Sequence, residues 1–394
     1  MKITRGIVIV ASAAAVFSVA TPPAWAAPST VRVSVGAGNP GTQSNGNSYD
    51  AVVSNGGRFV AFESAATNLV PGDTNKVYDV FVRDTLNNTT KRVSVANGNP
   101  GAQGTCPTSA SRCGAGNPSM TPDGRYVAFE SDFSNLVPGD TNNGPDMFVR
   151  DTVANTTVRV SVTSSGGQVD ENPNGSPAFP SISNDGKRVA FISDSNAYLG
   201  ETTHTNDAFV RDLAAAKTTL VSVTTTGGPN PDQNTGMLQV KISGDGKQVG
   251  FENATARYVA GDTNGKVDVF VRDLAAAKTT RVSLTSSGAQ GNGDSFLHSL
   301  STTGAVVGFS SVATNLVPND TNNKEDSFVR KGTQTIRVNV SSSGAQGNNQ
   351  SICTKVSGDG RYVAFFSSAT NLVPNDTNSK VDAFWRDLQT GTTR

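Results

Sequence analysis

Asn68-Leu-Val-Pro-Gly-Asp-Thr-Asn75 decides the fold of this chain, because it is one copy of a phrase that repeats. It returns from Asn135 to Asn142 and, with Asn in place of the Gly, from Asn315 to Asn322 and from Asn371 to Asn378. A shortened form ends at Ala260-Gly-Asp-Thr-Asn264. An apolar stretch such as Tyr126-Val-Ala-Phe129 precedes each copy, and one such as Asp268-Val-Phe-Val-Arg-Asp273 follows. A period of roughly 55 to 70 residues built only from strands and turns signals a radial or solenoid β architecture.

Working outward, each repeat reads as four strands. Strand a ends at a tight turn: Asp123-Gly124, Asp185-Gly186, Asp245-Gly246 or Asp359-Gly360. Asp-Gly between apolar runs is a two-residue hairpin signal, since it tolerates φ > 0. Strand b carries Ala-Phe or Gly-Phe, strand c carries Phe-Val-Arg, and strand d is typified by Arg92-Val-Ser-Val95. There are six b–c pairs. The sixth repeat stops at Thr392-Thr-Arg394, whereas Val31-Arg-Val-Ser-Val35 is a strand d with nothing before it. The expectation is an all-β fold, a six-bladed β-propeller closed by the N-terminal strand completing the last blade. A linear solenoid would not need an orphan strand at each end. Closure removes exposed sheet edges.

The N-terminus reads as a secretory signal peptide. Lys2 and Arg5 precede an apolar run, Thr21-Pro-Pro23 breaks it, and Ala24-Trp-Ala26 supplies a small-x-small cleavage site. Residues 1–26 are therefore expected to be removed and 27–394 to form the propeller, secreted or periplasmic, monomeric, with no membrane span after cleavage. The charge balance is 32 against 32, which lacks the basic field that nucleic-acid binding needs. Three Cys suit an exported protein. Cys106 and Cys113 flank a short loop and are the expected disulfide. Cys353 sits in an apolar strand, and the expectation is a buried, inert thiol.

The blade pattern resembles the repeat of TolB-type, WD-repeat-like propellers. The residues that carry the likeness are Ser119-Met-Thr-Pro-Asp-Gly-Arg-Tyr-Val-Ala-Phe129, Asp146-Met-Phe-Val-Arg-Asp151 and Thr157-Val-Arg159. The resemblance covers the mature chain and implies fold more than function, since such propellers serve as scaffolds, binding modules and enzyme domains. TolB itself carries an α/β domain before its propeller.

Two constellations invite chemistry. Asp73, Asn75 and Asp79 recur as Asp140, Asn142 and Asp146, as Asp262, Asn264 and Asp268, as Asp320, Asn322 and Asp326, and as Asp376, Asn378 and Asp382. Oxygens at alternate loop positions are what calcium takes. The competing reading is turn chemistry, with Pro at i+1 and Gly or Asn at i+2 of a type II turn and the side chains capping backbone N–H groups. The third repeat, Glu201-Thr-Thr-His-Thr-Asn206-Asp207, lacks the pattern. The second constellation is the Arg row at Arg83, Arg150, Arg211, Arg272, Arg330 and Arg386; a ring of Arg suits an anion clamp, but the expectation is cross-strand or turn ion pairs with Asp84, Asp151, Asp212, Asp273 and Asp387. With two His in the chain and no G-x-S-x-G elbow, catalysis finds little support. The expected function is a non-enzymatic module that binds an extracellular or envelope protein through long polar loops on one face, with calcium as a candidate stabiliser. The alternative is a carbohydrate binder or glycan-active enzyme using the same face, with a glycan as partner.

Overall fold

A computed structural model of the chain describes residues 30–38, 41–98, 101–107, 113–169, 178–198, 206–232 and 239–394. The signal-peptide segment and residues 201–205 of the third repeat lie outside these. Apart from two short 3-10 turns, the regular structure is all strand. Six four-stranded antiparallel sheets follow one another in a ring. The first is Ser48–Val53, Phe59–Ser64, Asp79–Asp84 and Thr89–Arg92, called a to d. The next five run from Ala115–Met120 to Thr156–Arg159, from Ala178–Ile182 to Lys217–Leu220, from Val240–Ile242 to Lys278–Arg281, from Ser295–Leu300 to Gln334–Arg337, and from Ser351–Val356 to Thr392–Thr393. The protein is a six-bladed β-propeller.

Strands b and c are near-continuous apolar runs because sheets pack on both of their faces. Each blade holds one Phe pair across the b–c ladder. Phe129 and Phe148 are in register, stack with centroids 5.8 Å apart and are fully buried. Phe62–Phe81, Phe191–Phe209, Phe251–Phe270, Phe309–Phe328 and Phe365–Phe384 repeat the arrangement.

The a–b turns differ from the two-residue hairpin expected from Asp-Gly. Gly124 N–H donates to the Thr121 carbonyl, which closes a four-residue turn, and Gly124 then takes φ +73°. Asp123 caps the turn, accepting from the Thr121 hydroxyl and the Arg125 N–H. The Gly is therefore required one position later than the hairpin rule implies.

The Arg row also departs from its expected pairing. Arg150 donates to the carbonyls of Ala96 (2.9 Å) and Gly98 (2.7 Å), in the segment that leaves strand d of the preceding blade. Arg83 does the same to Gly36 and Gly38, Arg211 to Thr163, Arg330 to Leu284 and Thr285, and Arg386 to Val340 and Ser341. Arg272 donates to Thr279 Oγ1. The Asp that follows takes another partner: Asp84 pairs with Arg58, Asp151 with Arg125, Asp212 with Arg188 and Asp387 with Arg361. Successive strand residues point to opposite faces, so adjacent Arg and Asp could not meet.

The two ends of the chain meet the ring at its last and first blades. The fourth strand of the sixth blade is the C-terminal Thr392–Thr393, extended by reciprocal backbone bonds between Arg394 and Trp385. The N-terminal strand Val35–Gly38 pairs with Gly41–Gln43 and docks on the first blade, where the Thr90 hydroxyl donates to the Val35 carbonyl at 2.6 Å. The same Thr contact joins Thr157 to Val95 and Thr218 to Val162. The N-terminal segment thus occupies the place of a preceding strand-d tail because Arg83 and Thr90 hold it there. Tyr362, Phe366 and Trp385 of the sixth blade, and Tyr49 and Val53 of the first, stay exposed at the seam.

The clamp gives a direct expectation. Arg150→Ala removes the donor from the part-buried Ala96 and Gly98 carbonyls and should cost about 1–3 kcal/mol in urea unfolding. Leu86→Ala, on an exposed turn, should change stability by less than about 0.5 kcal/mol.

Candidate functional sites: the loop clusters and the channel

The repeated loops bring their Asp and Asn together as the sequence implies, and an Arg from strand d joins them. Arg281 Nη1 lies 2.8 Å from Asp262 Oδ1 and 3.0 Å from Asp268 Oδ2, with all three side chains nearly buried. Asn264 Nδ2 donates to Asp268 at 2.9 Å, and the Ser283 hydroxyl donates to its other oxygen. Arg92 bridges Asp73 and Asp79, Arg159 bridges Asp140 and Asp146, and Arg337 bridges Asp320 and Asp326. Asn75, Asn142 and Asn322 donate to Asp79, Asp146 and Asp326. In the sixth blade Asn378 donates to Asp382, but among the described residues no Arg pairs with Asp376 or Asp382.

The turn chemistry expected of these loops is present: Gly72, Gly139, Asn319 and Asn375 all take positive φ at the residue after Pro. Burial raises Asp73 to about 6, with Asp79 adding repulsion, and raises Asp146 to about 7. Among the described residues no group of three or more His, Cys, Asp or Glu is placed to hold a metal ion.

The two long loop sets are also stitched to each other. Asn292 N–H donates to Asn315 Oδ1 (3.0 Å), Asn292 Nδ2 to Thr314 Oγ1 (2.9 Å), Thr314 N–H back to Asn292 Oδ1 (2.8 Å), and Asn315 Nδ2 to the Gln290 carbonyl (2.9 Å). Asn45 with Asn68 and Asn348 with Asn371 repeat the same exchange. Both amides are consumed locally.

A second site, which the sequence reading missed, lies where the inner strands face the channel. A cavity of about 580 Å³ is lined by Asp50, Asn117, Phe179, Lys241, Cys353 and Lys355, among others. Strand a is bulged there in five blades. Asp50, Asn117, Phe179 and Cys353 take φ between +50° and +59° at the bulge, which re-aims the chain. Cys353 is half-buried and free, so it is less enclosed than expected, whereas Cys106 and Cys113 form the expected disulfide. Carboxylates on strand b secure two bulges: Glu63 accepts from Asn117 N–H at 3.2 Å, and Glu252 accepts from Leu297 N–H.

Burial raises Glu252 to about 7 and lowers Lys241 to about 7. Burial, then Lys355 and Lys241, lower His298 to about 4, so it is neutral at physiological pH. His298 Nε2 is 2.9 Å from Ser310 Oγ, whose proton goes to Glu325 Oε1 at 2.6 Å. This is not a nucleophile arrangement. Ser310 is fully buried, and its hydroxyl is committed to the carboxylate rather than to the imidazole.

No family model matches the chain, and no curated protein does. Solved structures do. The β-propeller domain of the Trilobed protease from Pyrococcus furiosus, described as having an open velcro topology, is similar over 90% of this chain and 84% of its own, at 9% identity and a TM-score of 0.51. An oligogalacturonate lyase in complex with manganese gives 10% identity, coverage of 88% and 75%, and a TM-score of 0.50. TolB from Acinetobacter baumannii gives 14% identity over 80% of this chain, which spans 58% of that protein, at a TM-score of 0.43. At these identities the likeness is one of fold.

The buried acid makes stability pH-dependent. Folding favours the protonated form of Glu252, so its contribution is full below its ordinary value of 4.5 and is lost as pH rises to about 7. Glu252→Gln keeps an acceptor for Leu297 N–H and removes the charge. It should be more stable than the parent at pH 8, by on the order of 2 kcal/mol in chemical unfolding, and should flatten the decline.

Proposed function

We propose that this chain is an exported, non-enzymatic binding module that holds a protein partner on its long-loop face. The observation that carries this reading is the mutual stitching of the two long loop sets. A polar surface ordered before binding loses less conformational freedom when a partner docks. Loops on a rigid scaffold are the usual place for recognition. The His298–Ser310–Glu325 cluster is closed to substrate, which weighs against hydrolysis. The disulfide suits an oxidising, extracytoplasmic compartment. Among the described residues no helix is long and apolar enough to cross a membrane.

We also read the repeated loops as closed by their own guanidinium groups rather than by calcium. The Arg cation lies between the two carboxylates that a metal ion would need in four of the five loops. A buried pair broken by removing one partner loses about 3–5 kcal/mol.

Two measurements test these readings. The thermal midpoint of residues 27–394 should be the same in EDTA and in millimolar calcium, while Arg281→Met should lower it sharply. A calcium-dependent rise in the parent would make the loops metal sites. Separately, a photo-crosslinking residue at Thr314 on the loop face should capture a protein partner in the native host, and one at Val153 on the opposite turns should not. Capture only from Val153, or from neither position, would contradict the proposed face.

A further inference from the structure

The channel holds two lysines that the repeat does not require. The position paired with the small residue of strand b is Val52, Ser119, Ser181, Lys241, Ser299 and Lys355 in the six blades, opposite Ala61, Ala128, Ala190, Gly250, Gly308 and Ala364. Where it is Ser, its hydroxyl accepts a backbone N–H from the next blade: Ile182 to Ser119 (3.2 Å), Ile242 to Ser181 (3.0 Å) and Val356 to Ser299 (2.9 Å). An ammonium cannot accept, so Lys at this position gives up the bond between blades. It also places a cation on the channel wall, where Lys241 is half-buried and Lys355 exposed.

Neither lysine recovers that cost structurally. Among the described residues, the Lys241 ammonium makes no ion pair or hydrogen bond, and Lys355 Nζ donates only to the His298 carbonyl, at 3.0 Å. Glu252 is in electrostatic reach of Lys241, but its carboxylate is bound to Leu297 N–H. Glu63 performs the same duty in the first blade with Val52 at the lysine position, so the staple works without a cation. The two ammonium groups repel each other, and both bear on the neutral His298. At this level of the strands the described residues also carry the acids Asp50, which bears on Glu63, Glu130 and Glu252. Cys353 lies beside Lys355. Two cations and an apolar wall of Phe179, Pro180 and the exposed Phe366 share one cavity of about 580 Å³. The Ser pattern is broken in three blades, once by Val and twice by Lys, and the two cations, which no carboxylate pairs, mark a site kept for a ligand.

We propose that the channel binds a carboxylate, whose anionic end is held by Lys241 and Lys355 and whose apolar body lies against Phe179 and Phe366. Such a group arrives either as a free organic acid or as the C-terminal carboxylate of a polypeptide. The proposal is independent of the loop-face reading, which concerns different residues.

Isothermal titration of the purified protein with 3-phenylpropionate, acetyl-Gly-Phe and acetyl-Gly-Phe-amide tests it. At least one of the two acids should bind and the amide should not. Binding by the dipeptide acid alone assigns the site to a polypeptide terminus, and binding by phenylpropionate alone to a free acid. Lys241→Met and Lys355→Met should each weaken binding by about tenfold or more, equivalent to about 1.4 kcal/mol. Lys241→Arg, which keeps the charge, should retain binding, and it separates loss of the site from loss of the fold. Equal binding of the amide, unchanged binding in both methionine variants, or no binding of either acid at millimolar concentration would overturn the proposal.

Discussion

The structure depends on one contact: a strand-c guanidinium that reaches back to the carbonyls of the chain arriving from the preceding blade. Where strand d leaves its ladder, its carbonyls lose their partners just as the chain turns toward the next inner strand. A forked donor satisfies two of them at once, as Arg150 does at Ala96 and Gly98. The Thr157 hydroxyl takes a third at Val95. This contact sets the spacing of successive sheets. The spacing in turn puts the strand-a bulges at the channel and the long loops side by side on one rim.

That rim is built from residues whose types suggest ligand binding and whose contacts are internal. Asn292 and Asn315 spend their amides on each other's loops, and Arg281 fills the gap between Asp262 and Asp268. These bonds add to an apolar anchor in each loop, since Leu69, Leu136, Leu316 and Leu372 are buried, and together they offset the cost of ordering a Gly- and Asn-rich segment. The consequence is a stiff polar face. The channel is different in kind, since its lysines have no internal use that the other blades do not meet with Ser or Val.

Strand content, blade number and the Cys106–Cys113 bond were legible in the sequence, because alternation, repeat period and short-loop spacing are local properties. The partners of the Arg row were not. Arg83 and Asp84 are adjacent in sequence yet face opposite ways, and the real acceptors are backbone carbonyls, which carry no residue signature. The loop clusters were half legible: Asp262, Asn264 and Asp268 do converge, but the group that closes them, Arg281, arrives from another strand. The N-terminal segment was legible as a strand d because Val31 to Val35 matches one in residue type, and Arg83 and Thr90 hold Val35 and Gly36 where the next blades hold a preceding strand-d tail. Lys241 and Lys355 could have been found by aligning the six blades and asking which inner-strand residues break the rule.

Amide hydrogen exchange on the metal-free protein tests the account most directly. If the loops are locked by their own side chains, the N–H groups of Thr263, Asn292 and Thr314, bonded to Gln290, Asn315 and Asn292 side chains, exchange as slowly as those of Asp268–Asp273. Exchange at the rate of an open loop, slowing only when calcium is added, would contradict it.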